Sequence, residues 1–295
     1  MRALAILGPR ATEHDLAPFR APGTEVTLAE NLTQTAADVV LLLGGDGTVQ
    51  RHLADLVRAQ IPLLVIPAGS ANDFARALGL RTRAEALRAW EKFLAGGNNV
   101  RSVDLGVMEF AGEGARTGNS AYFSCAVGAG VDAEVARQAN SLPSWLRGRG
   151  GYFLAAIPAL LRFRARRITV TATQADGKRT ISEPGILAAA ANAPWYGHGM
   201  RIAPEADLDD GLLEFCFVRE VGKLRLLRLF PKVYRGGHIG LQEVEYFRAK
   251  RVLIESDVPL AVHADGEPLG QTPVEVSVAR RALRVIVRGS NQHSS

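Results

Sequence analysis

Three glycines around an aspartate, followed by a threonine, make Gly44-Gly45-Asp46-Gly47-Thr48 the segment best suited to chemistry. It stands directly after an apolar stretch, Val39 to Leu43, and directly before residues with helical spacing. Glycines let the backbone approach a ligand closely. A helix N-terminus then offers unpaired N–H groups and the positive end of its dipole to an anion such as phosphate. Asp46 would repel phosphate unless a divalent cation or a substrate proton stood between them, so its presence points to a metal network. A glycine-rich turn capped by Asp46 is the plainer alternative. A second loop, Pro67-Ala68-Gly69-Ser70-Ala71-Asn72-Asp73-Phe74-Ala75-Arg76, follows the next apolar stretch. Ser70 or Asn72 can cap a helix there, and Asp73 falls in its first turn, as it would in a purely structural helix start. Two successive strand-to-helix loops nevertheless share one edge of a parallel sheet, where such folds bind nucleotides.

The elements that must hold these loops are legible around them. Short apolar runs at Arg2 to Leu7, Glu25 to Ala29, Val39 to Leu43 and Pro62 to Pro67 read as strands. Helical spacing covers Thr48 to Ala59, Ala71 to Leu80 and Thr82 to Leu94, the pattern of a parallel sheet with helices packed on it. From Val100 the character changes. Strands are expected at Val100 to Glu109, Ala121 to Val127, Arg167 to Thr173, Ile186 to Ala191, Leu212 to Val218, Val252 to Glu255, Pro259 to Ala264 and Leu283 to Arg288. Their spacing fits a mostly antiparallel β domain, interrupted by helical insertions at Gly151 to Arg166 and Gly222 to Tyr234.

A chain of 295 residues favours two domains, and its 47% apolar and 22% charged residues describe a globular protein rather than a disordered one. No apolar run reaches the eighteen or so residues that a membrane-crossing helix needs, and Ala3 to Leu7 is too short for a secretory signal, so a cytoplasmic protein is expected. Cys125 and Cys216 lie inside apolar runs, where a buried thiol is the ordinary state. The formal charge of +5 is unevenly spread. Seven arginines and no acid fall between Val135 and Ala175, and five basic residues and no acid between Val221 and Gln242, so the remainder is net acidic. Such a division suits an anionic partner, nucleic acid or an acidic membrane.

Taken together, these residues resemble the catalytic domain of the diacylglycerol kinase family, which includes bacterial lipid kinases and the sphingosine and ceramide kinases. Gly44 to Thr48 looks like the family's nucleotide loop, and Pro67 to Arg76 like its Pro-x-Gly-Thr-x-Asn-Asp-Phe-Ala-Arg segment with Ser70 for threonine. Asp265-Gly266-Glu267 looks like its C-terminal Asp-Gly-Glu. Val103 to Gly106, Gly128 to Asp132 and Leu208 to Leu212 follow in the family's order, so the likeness runs along nearly the whole chain. The family's usual Asn-Pro-x-Ser-Gly first loop is replaced by Gly8-Pro9-Arg10-Ala11-Thr12, and Gln50 stands where asparagine is usual.

The resemblance implies an N-terminal parallel α/β domain similar to that of NAD kinases (residues 1–104) and a C-terminal antiparallel β-sandwich (105–289). The strand at 283–288 would pair back, and 290–295 would be a loose tail. It implies a kinase in which ATP and a diacylglycerol-like lipid meet in the cleft between the domains. Asp46, Asp73 and Asp104 would organise a catalytic Mg²⁺, while Gly44, Gly45, Asp46, Gly47, Thr48, Gln50, Ser70 and Asn72 would contact ATP. Glu267 would be the base, and Asp207, Asp210 and the carbonyl of Leu212 would hold a separate structural Mg²⁺. A lipid hydroxyl loses its proton during phosphoryl transfer, and a nearby carboxylate can accept it. Read by turn chemistry alone, Glu267 is equally a hairpin acid after Asp265-Gly266.

The first basic segment places aromatic and aliphatic residues beside arginines, at Ser144 to Arg147 and Tyr152 to Phe163. That is the composition of an interfacial helix gripping an anionic membrane, or equally of an ordinary helix with its apolar side in the core. Without a recognisable nucleic-acid module, nucleic acid is the weaker partner, and a homodimer stays open. The six histidines show no metal-ligand spacing, and Trp195 to Met200 is a candidate lining for a lipid cleft. An NAD kinase shares the Gly-Gly-Asp-Gly loop, but the Asn-Asp-Phe and Asp-Gly-Glu segments favour a lipid. A non-catalytic lipid- or nucleic-acid-binding protein on the same fold would not need every acidic site residue.

Overall fold

The computed structural model describes residues 1–32, 37–110, 120–141, 152–174 and 177–289. The chain divides into two compact units, Met1–Asp104 with Arg280–Ser295, and Leu105–Ala279. Residues 144–147 of the basic stretch and the tail 290–295 lie outside the described residues.

The first unit is built on β1 (Arg2–Leu7), β2 (Glu25–Leu28), β3 (Val39–Gly44) and β4 (Leu63–Pro67), which run parallel in the order β2-β1-β3-β4. The end of the C-terminal strand, Val274–Ile286, continues the sheet, pairing parallel to β4 through Val285 and Leu63. Val39 to Leu43 and Leu63 to Ile66 are buried on both faces, as unbroken apolar strands in a covered parallel sheet must be. β2 forms the largely exposed edge. Covering comes from α1 (Asp46–Ala59), which buries Val49, Leu53 and Leu56, and α3 (Arg83–Leu94), which buries Ala86, Ala89 and Trp90. The indole N–H of Trp90 donates to the Phe19 carbonyl at 2.9 Å. α2 (Asp73–Ala77) is a short helix between them.

Two helices of the first unit, α1 and α2, differ by two residues or more from the spacing-based expectation, each for a backbone reason. α1 begins two residues early because Gly45, in extended conformation, serves as its N-cap. α2 is cut to five residues because Asn72 enters it with φ 55° and Gly79 leaves it with φ 77°, left-handed conformations that no helix interior tolerates.

The second unit is an antiparallel β-sandwich. It begins with β5 (Val100–Phe110, from Leu105 on), β6 (Ser120–Phe123), β7 (Ala126–Gly130), α4 (Val131–Ser141) and α5 (Tyr152–Arg162). There follow β8 (Arg166–Gln174), β9 (Gly177–Ala191), β10 (Leu213–Arg219) and α6 (Lys223–Leu229), which runs into a 3-10 turn, Phe230–Arg235. β11 (Val244–Ala249), β12 (Arg251–Ser256), β13 (Ala261–Ala264), β14 (Glu267–Gln271) and β15 (Val274–Ile286, up to Ala279) complete it. β9 is its longest strand: its first part pairs with β8, and its last residues pair with β7 on one side and β10 on the other. Alternation then sorts the side chains. Ala188, Ala190, Phe215 and Phe217 join Val170, Ile254 and Val276 in one core, while Ala189, Ala191 and Cys216 meet Val135, Ala156, Ala159 and Leu160 of the helices in another. Both cysteines are buried free thiols, and burial pushes the Cys216 thiol up to about 12.

The stretch expected as one strand from Ala121 to Val127 is two, β6 and β7, broken at Ser124 and Cys125. β11 and β14 were not visible as strands. β14 reads Glu-Pro-Leu-Gly-Gln, is mostly exposed, and pairs only with β13, so neither periodicity nor β-branched content marks it. No helix among the described residues is long and apolar enough to cross a membrane.

The helix starts are individually testable at α3, where Thr82 and Glu85 cap each other reciprocally: the Thr82 hydroxyl accepts from Glu85 N–H, and the Glu85 carboxylate accepts from Thr82 N–H at 3.0 Å. Thr82→Ala is expected to cost ~1 kcal/mol. In urea unfolding this appears as a lower midpoint with an unchanged slope.

Candidate functional site

Parallel strands bring their C-terminal loops to one edge, so Gly8 after β1, Gly44 to Thr48 after β3 and Pro67 to Asn72 after β4 assemble together. The backbones touch. Gly8 N–H donates to the Leu43 carbonyl at 2.7 Å, and Ala68 N–H to the Gly44 carbonyl at 3.0 Å. A methyl on Gly45 would lie 2.8 Å from the Gly69 Cα, and one on Gly69 only 2.5 Å from the Gly45 Cα. Glycine is therefore required at both positions by close approach. Thr48, buried, closes the other side: a methyl on Gly8 would come within 2.6 Å of its Oγ1 and one on Gly44 within 2.6 Å of its Cβ. The replaced first loop thus still lies against the glycine loop.

Side chains lock this arrangement. Asn72 holds the second loop from both ends, its Oδ1 accepting from Gly69 N–H at 2.8 Å and its Nδ2 donating to the Gly69 carbonyl at 3.0 Å. Asp46 is the first residue of α1 and does not cap it. Its Oδ1 instead accepts the Phe74 N–H at 3.0 Å, capping α2 from the neighbouring loop. Asp73, 3% exposed, pairs with Arg76 at 2.6 Å. Asp104, 1% exposed at the end of the same unit, accepts the Arg281 N–H at 2.6 Å. Ser70 is exposed beside the loop and Gln50 half-buried in the first turns of α1. No side chain caps α1, so its positive end follows the glycines directly. This is an anion-receptive edge with three carboxylates built into its frame.

In the second unit, Asp265-Gly266 forms the two-residue turn between β13 and β14 with φ 49° and 87°, and Glu267 opens β14, exposed and directly across from Ala264. Glu267 is thus the first strand residue after the turn. Asp265, which the Asp-Gly-Glu motif and the turn leave without a role of its own, accepts four hydrogen bonds through its carboxylate. They come from Ser124 N–H (2.7 Å), Ser124 Oγ (2.7 Å), Cys125 N–H (2.9 Å) and Ala126 N–H (3.1 Å). Burial pushes this carboxyl up, while all four donors favour its ionised form. These bonds are why β6 and β7 separate.

Asp207, Asp210 and Leu212 share the turn before β10, pinned by buried Leu208. Both aspartates are exposed, and Asp210 Oδ1 accepts the Leu212 N–H at 2.9 Å. Among the described residues no three His, Cys, Asp or Glu side chains converge as a ready-made metal cage.

An apolar cavity of about 110 Å³ lies among α4, α5, α6 and the strands beside them, lined by residues including Leu160, Leu187, Met200, Leu226, Phe230 and Val233. Tyr196, from the stretch proposed to line a lipid cleft, is in its wall, while Trp195 is only half-buried. So is Asp132, which sequence reasoning placed in a motif without assigning it a role. Its carboxyl takes the Tyr196 hydroxyl at 3.3 Å, and burial pushes it up to about 7. A methyl on Gly128 would strike its Oδ2 at 2.0 Å, so the glycine makes room for the acid.

Comparison with known proteins agrees with this geometry. Residues 2–108 match the diacylglycerol kinase catalytic domain, and residues 125–287 match the YegS C-terminal NAD kinase beta sandwich-like domain. A diacylglycerol kinase of Mycobacterium tuberculosis (strain H37Rv) is 34% identical over 249 residues, 84% of this chain and 76% of its own. A diacylglycerol kinase of Bacillus subtilis (strain 168) is 27% identical over 253 residues, 85% and 78% of the two chains. A crystal structure of a diacylglycerol kinase from Bacillus anthracis (strain Sterne) shares the fold with a TM-score of 0.69 at 19% identity, covering 97% of this chain and 96% of that one.

The raised Asp132 carboxyl has a pH signature. Its ordinary value is 3.8 and its folded value about 7, so between those limits the unfolded chain ionises while the folded chain does not. Stability is then lost as pH rises from about 4 to about 7 and changes no further from this group above that. Asp132→Asn is expected to match the parent near pH 4 and to exceed it at pH 8 by on the order of a few kcal/mol, read by denaturant unfolding at the two pH values.

Proposed function

The chain belongs to the diacylglycerol kinase family and is a lipid kinase, and we propose that it transfers the γ-phosphate of ATP to a hydroxyl of a diacylglycerol-like membrane lipid. The observation that carries this reading is the locked pair of glycine loops, where Gly45 and Gly69 meet backbone to backbone and Asp46 caps the neighbouring helix. In this reading the first unit binds the nucleotide. Gly44, Gly45, Gly47 and Thr48 follow its phosphates at the start of α1, with Asp46, Gln50, Ser70 and Asn72 around them. The second unit takes the lipid, and the apolar wall of the cavity at Tyr196 and Phe230 matches an acyl chain in chemistry, its present volume of about 110 Å³ holding only a short piece of one.

Asp46, Asp73 and Asp104 carry hard oxygen donors of the kind Mg²⁺ prefers, alongside the bonds they make to Phe74, Arg76 and Arg281. Asp207, Asp210 and the Leu212 carbonyl supply the same donor chemistry in one exposed turn. Bound there, Mg²⁺ would neutralise charge on the transferring phosphate or stiffen the turn. The chain's own part in transfer is to position and to take a proton. The lipid hydroxyl oxygen attacks the γ-phosphorus, the bond to the bridging oxygen of ADP breaks, and the hydroxyl proton passes to the Glu267 carboxylate.

The same unit supports contact with an anionic membrane. Arg162, Arg164 and Arg166 border an open groove with Phe163, Val258 and Leu260, and Leu161, Val258 and Leu224 are exposed apolar side chains, Leu224 at 84%. The other basic segment is partly engaged within the protein, with Arg225 paired to Glu243 and Lys223 donating to the Leu161 carbonyl.

Glu267→Gln and Asp46→Ala are each expected to lower transfer from labelled ATP into a whole-lipid extract by roughly 10²- to 10⁴-fold while the proteins remain folded. Turnover like the parent's in either variant removes that residue from the mechanism, and identification of the labelled product names the lipid. Replacing Arg162, Arg164 and Arg166 together by glutamine is expected to release the protein from anionic vesicles in sedimentation at low salt. Retention independent of salt and of these arginines removes the electrostatic contact.

A further inference from the structure

Asp265 is built too elaborately for a hairpin turn. A turn of this kind needs only two residues that accept positive φ, and asparagine or glycine would serve. Here the carboxylate gathers every donor that Ser124, Cys125 and Ala126 offer toward it, while Asp265 N–H donates back to the Ala126 carbonyl at 3.0 Å. The bend it grips is also fixed from its far side. The Cys125 carbonyl accepts from Asn192 and Ala193 N–H at 2.7 and 3.1 Å, and the Ser124 carbonyl accepts from the Asn192 side chain at 3.1 Å. β13 joins β7 through Val262, His263 and Ala264, whereas among the described residues β14, which begins with Glu267, pairs in the sheet only with β13 and otherwise packs through Leu269 on the core and Gly270 against Phe110. Glu267 follows the turn directly, ahead of those contacts, so the turn fixes the start of β14 and the Asp265 carboxylate fixes the turn.

We propose that Asp265 is a positioning residue for phosphoryl transfer, clamping the turn to the Ser124–Ala126 bend so that the Glu267 carboxylate is held where it can accept the substrate proton. The proposal rests on Glu267 being the base. An ionised carboxylate suits the post because all four neighbours donate, and charge-assisted bonds are about twice as strong as neutral ones. An amide cannot replace it. Whichever way an asparagine is turned, its NH₂ faces backbone N–H groups that need an acceptor. Loss of placement by about 1 Å is enough to lower a rate on the order of 10²-fold.

The test measures single-turnover phosphate transfer, with enzyme in excess, in Asp265→Asn, in Glu267→Gln and in the double variant, together with the KM for ATP and the melting temperature. Asp265→Asn is expected to lower kcat on the order of 10²-fold with the KM for ATP unchanged, and to have no further effect in the Glu267→Gln background, because there is no base left to misplace. An Asp265→Asn rate equal to the parent's, or an equal fall in both backgrounds, overturns the proposal. If Asp265→Asn does not fold, Ser124→Ala decides, since it removes only the hydroxyl donor at 2.7 Å. It is then kcat that must fall several-fold at a temperature where the variant is folded, and a lower melting temperature with unchanged kcat overturns the proposal. Wild-type-like transfer in Glu267→Gln sinks the base assignment itself. An inactive Glu267→Gln beside a fully active Asp265→Asn sinks the positioning role alone.

Discussion

Everything in the first unit depends on two peptide backbones coming closer than side chains allow. Gly45 and Gly69 lie on successive loops of a parallel sheet, and each leaves no space for a Cβ on the other. That approach brings the Asp46 carboxylate to the Phe74 N–H, so the helix after β4 is capped by a residue from the loop after β3. A loop that supplies its neighbour's cap cannot shift alone. The sheet beneath, with Val39 to Leu43 and Leu63 to Ile66 buried on both faces, gives the two loops a rigid common base. Pre-organisation of this kind is what recognition of a phosphate chain by backbone N–H groups demands, since each donor must already point the right way.

The second unit solves a different problem, holding polar groups within an apolar frame. β9 and β10 send alternate residues into two separate cores, and the core shared with the helices contains the cavity. Asp132 is placed there at the mouth of α4, opposite Tyr196, with Gly128 leaving it space. Asp265 is the contrasting case. Both carboxyls are enclosed, but Asp265 accepts from four donors on a distant bend, whereas Asp132 takes the Tyr196 hydroxyl and the N–H groups of its own helix start. Burial pushes both carboxyls up, and at Asp265 the four donors work against that shift.

The parallel half was largely legible in the sequence because fully buried strands are uninterrupted apolar runs and the glycine loops sit at their ends. Its errors were local: the left-handed Asn72 shortened α2, and a glycine, not an aspartate, capped α1. The antiparallel half was legible as to type, with losses where strands depend on distant partners. Nothing near Ser124 announces a break, because its cause lies 141 positions along the chain at Asp265. For the site, residue types and order singled out Asp46, Asp73, Asp104 and Glu267 as candidates, while the partners of these side chains were invisible. Asp73 turned out to face Arg76, and Asp104 the backbone of Arg281. Asp132 carried a signal, standing four residues after Gly128, but only the packing shows that the glycine yields to the acid.

The pairing of Val285 with Leu63, the bonds from Asn99 to Val287 and the ion pair of Arg288 with Glu85 place a strand from beyond the second unit inside the first. On the ribosome, a nascent chain would carry the glycine loops long before this closing piece emerged from the exit tunnel. The Leu105–Ala279 portion holds its own contacts and can consolidate during that wait. The first unit would then be completed only after the whole of the second had been synthesised.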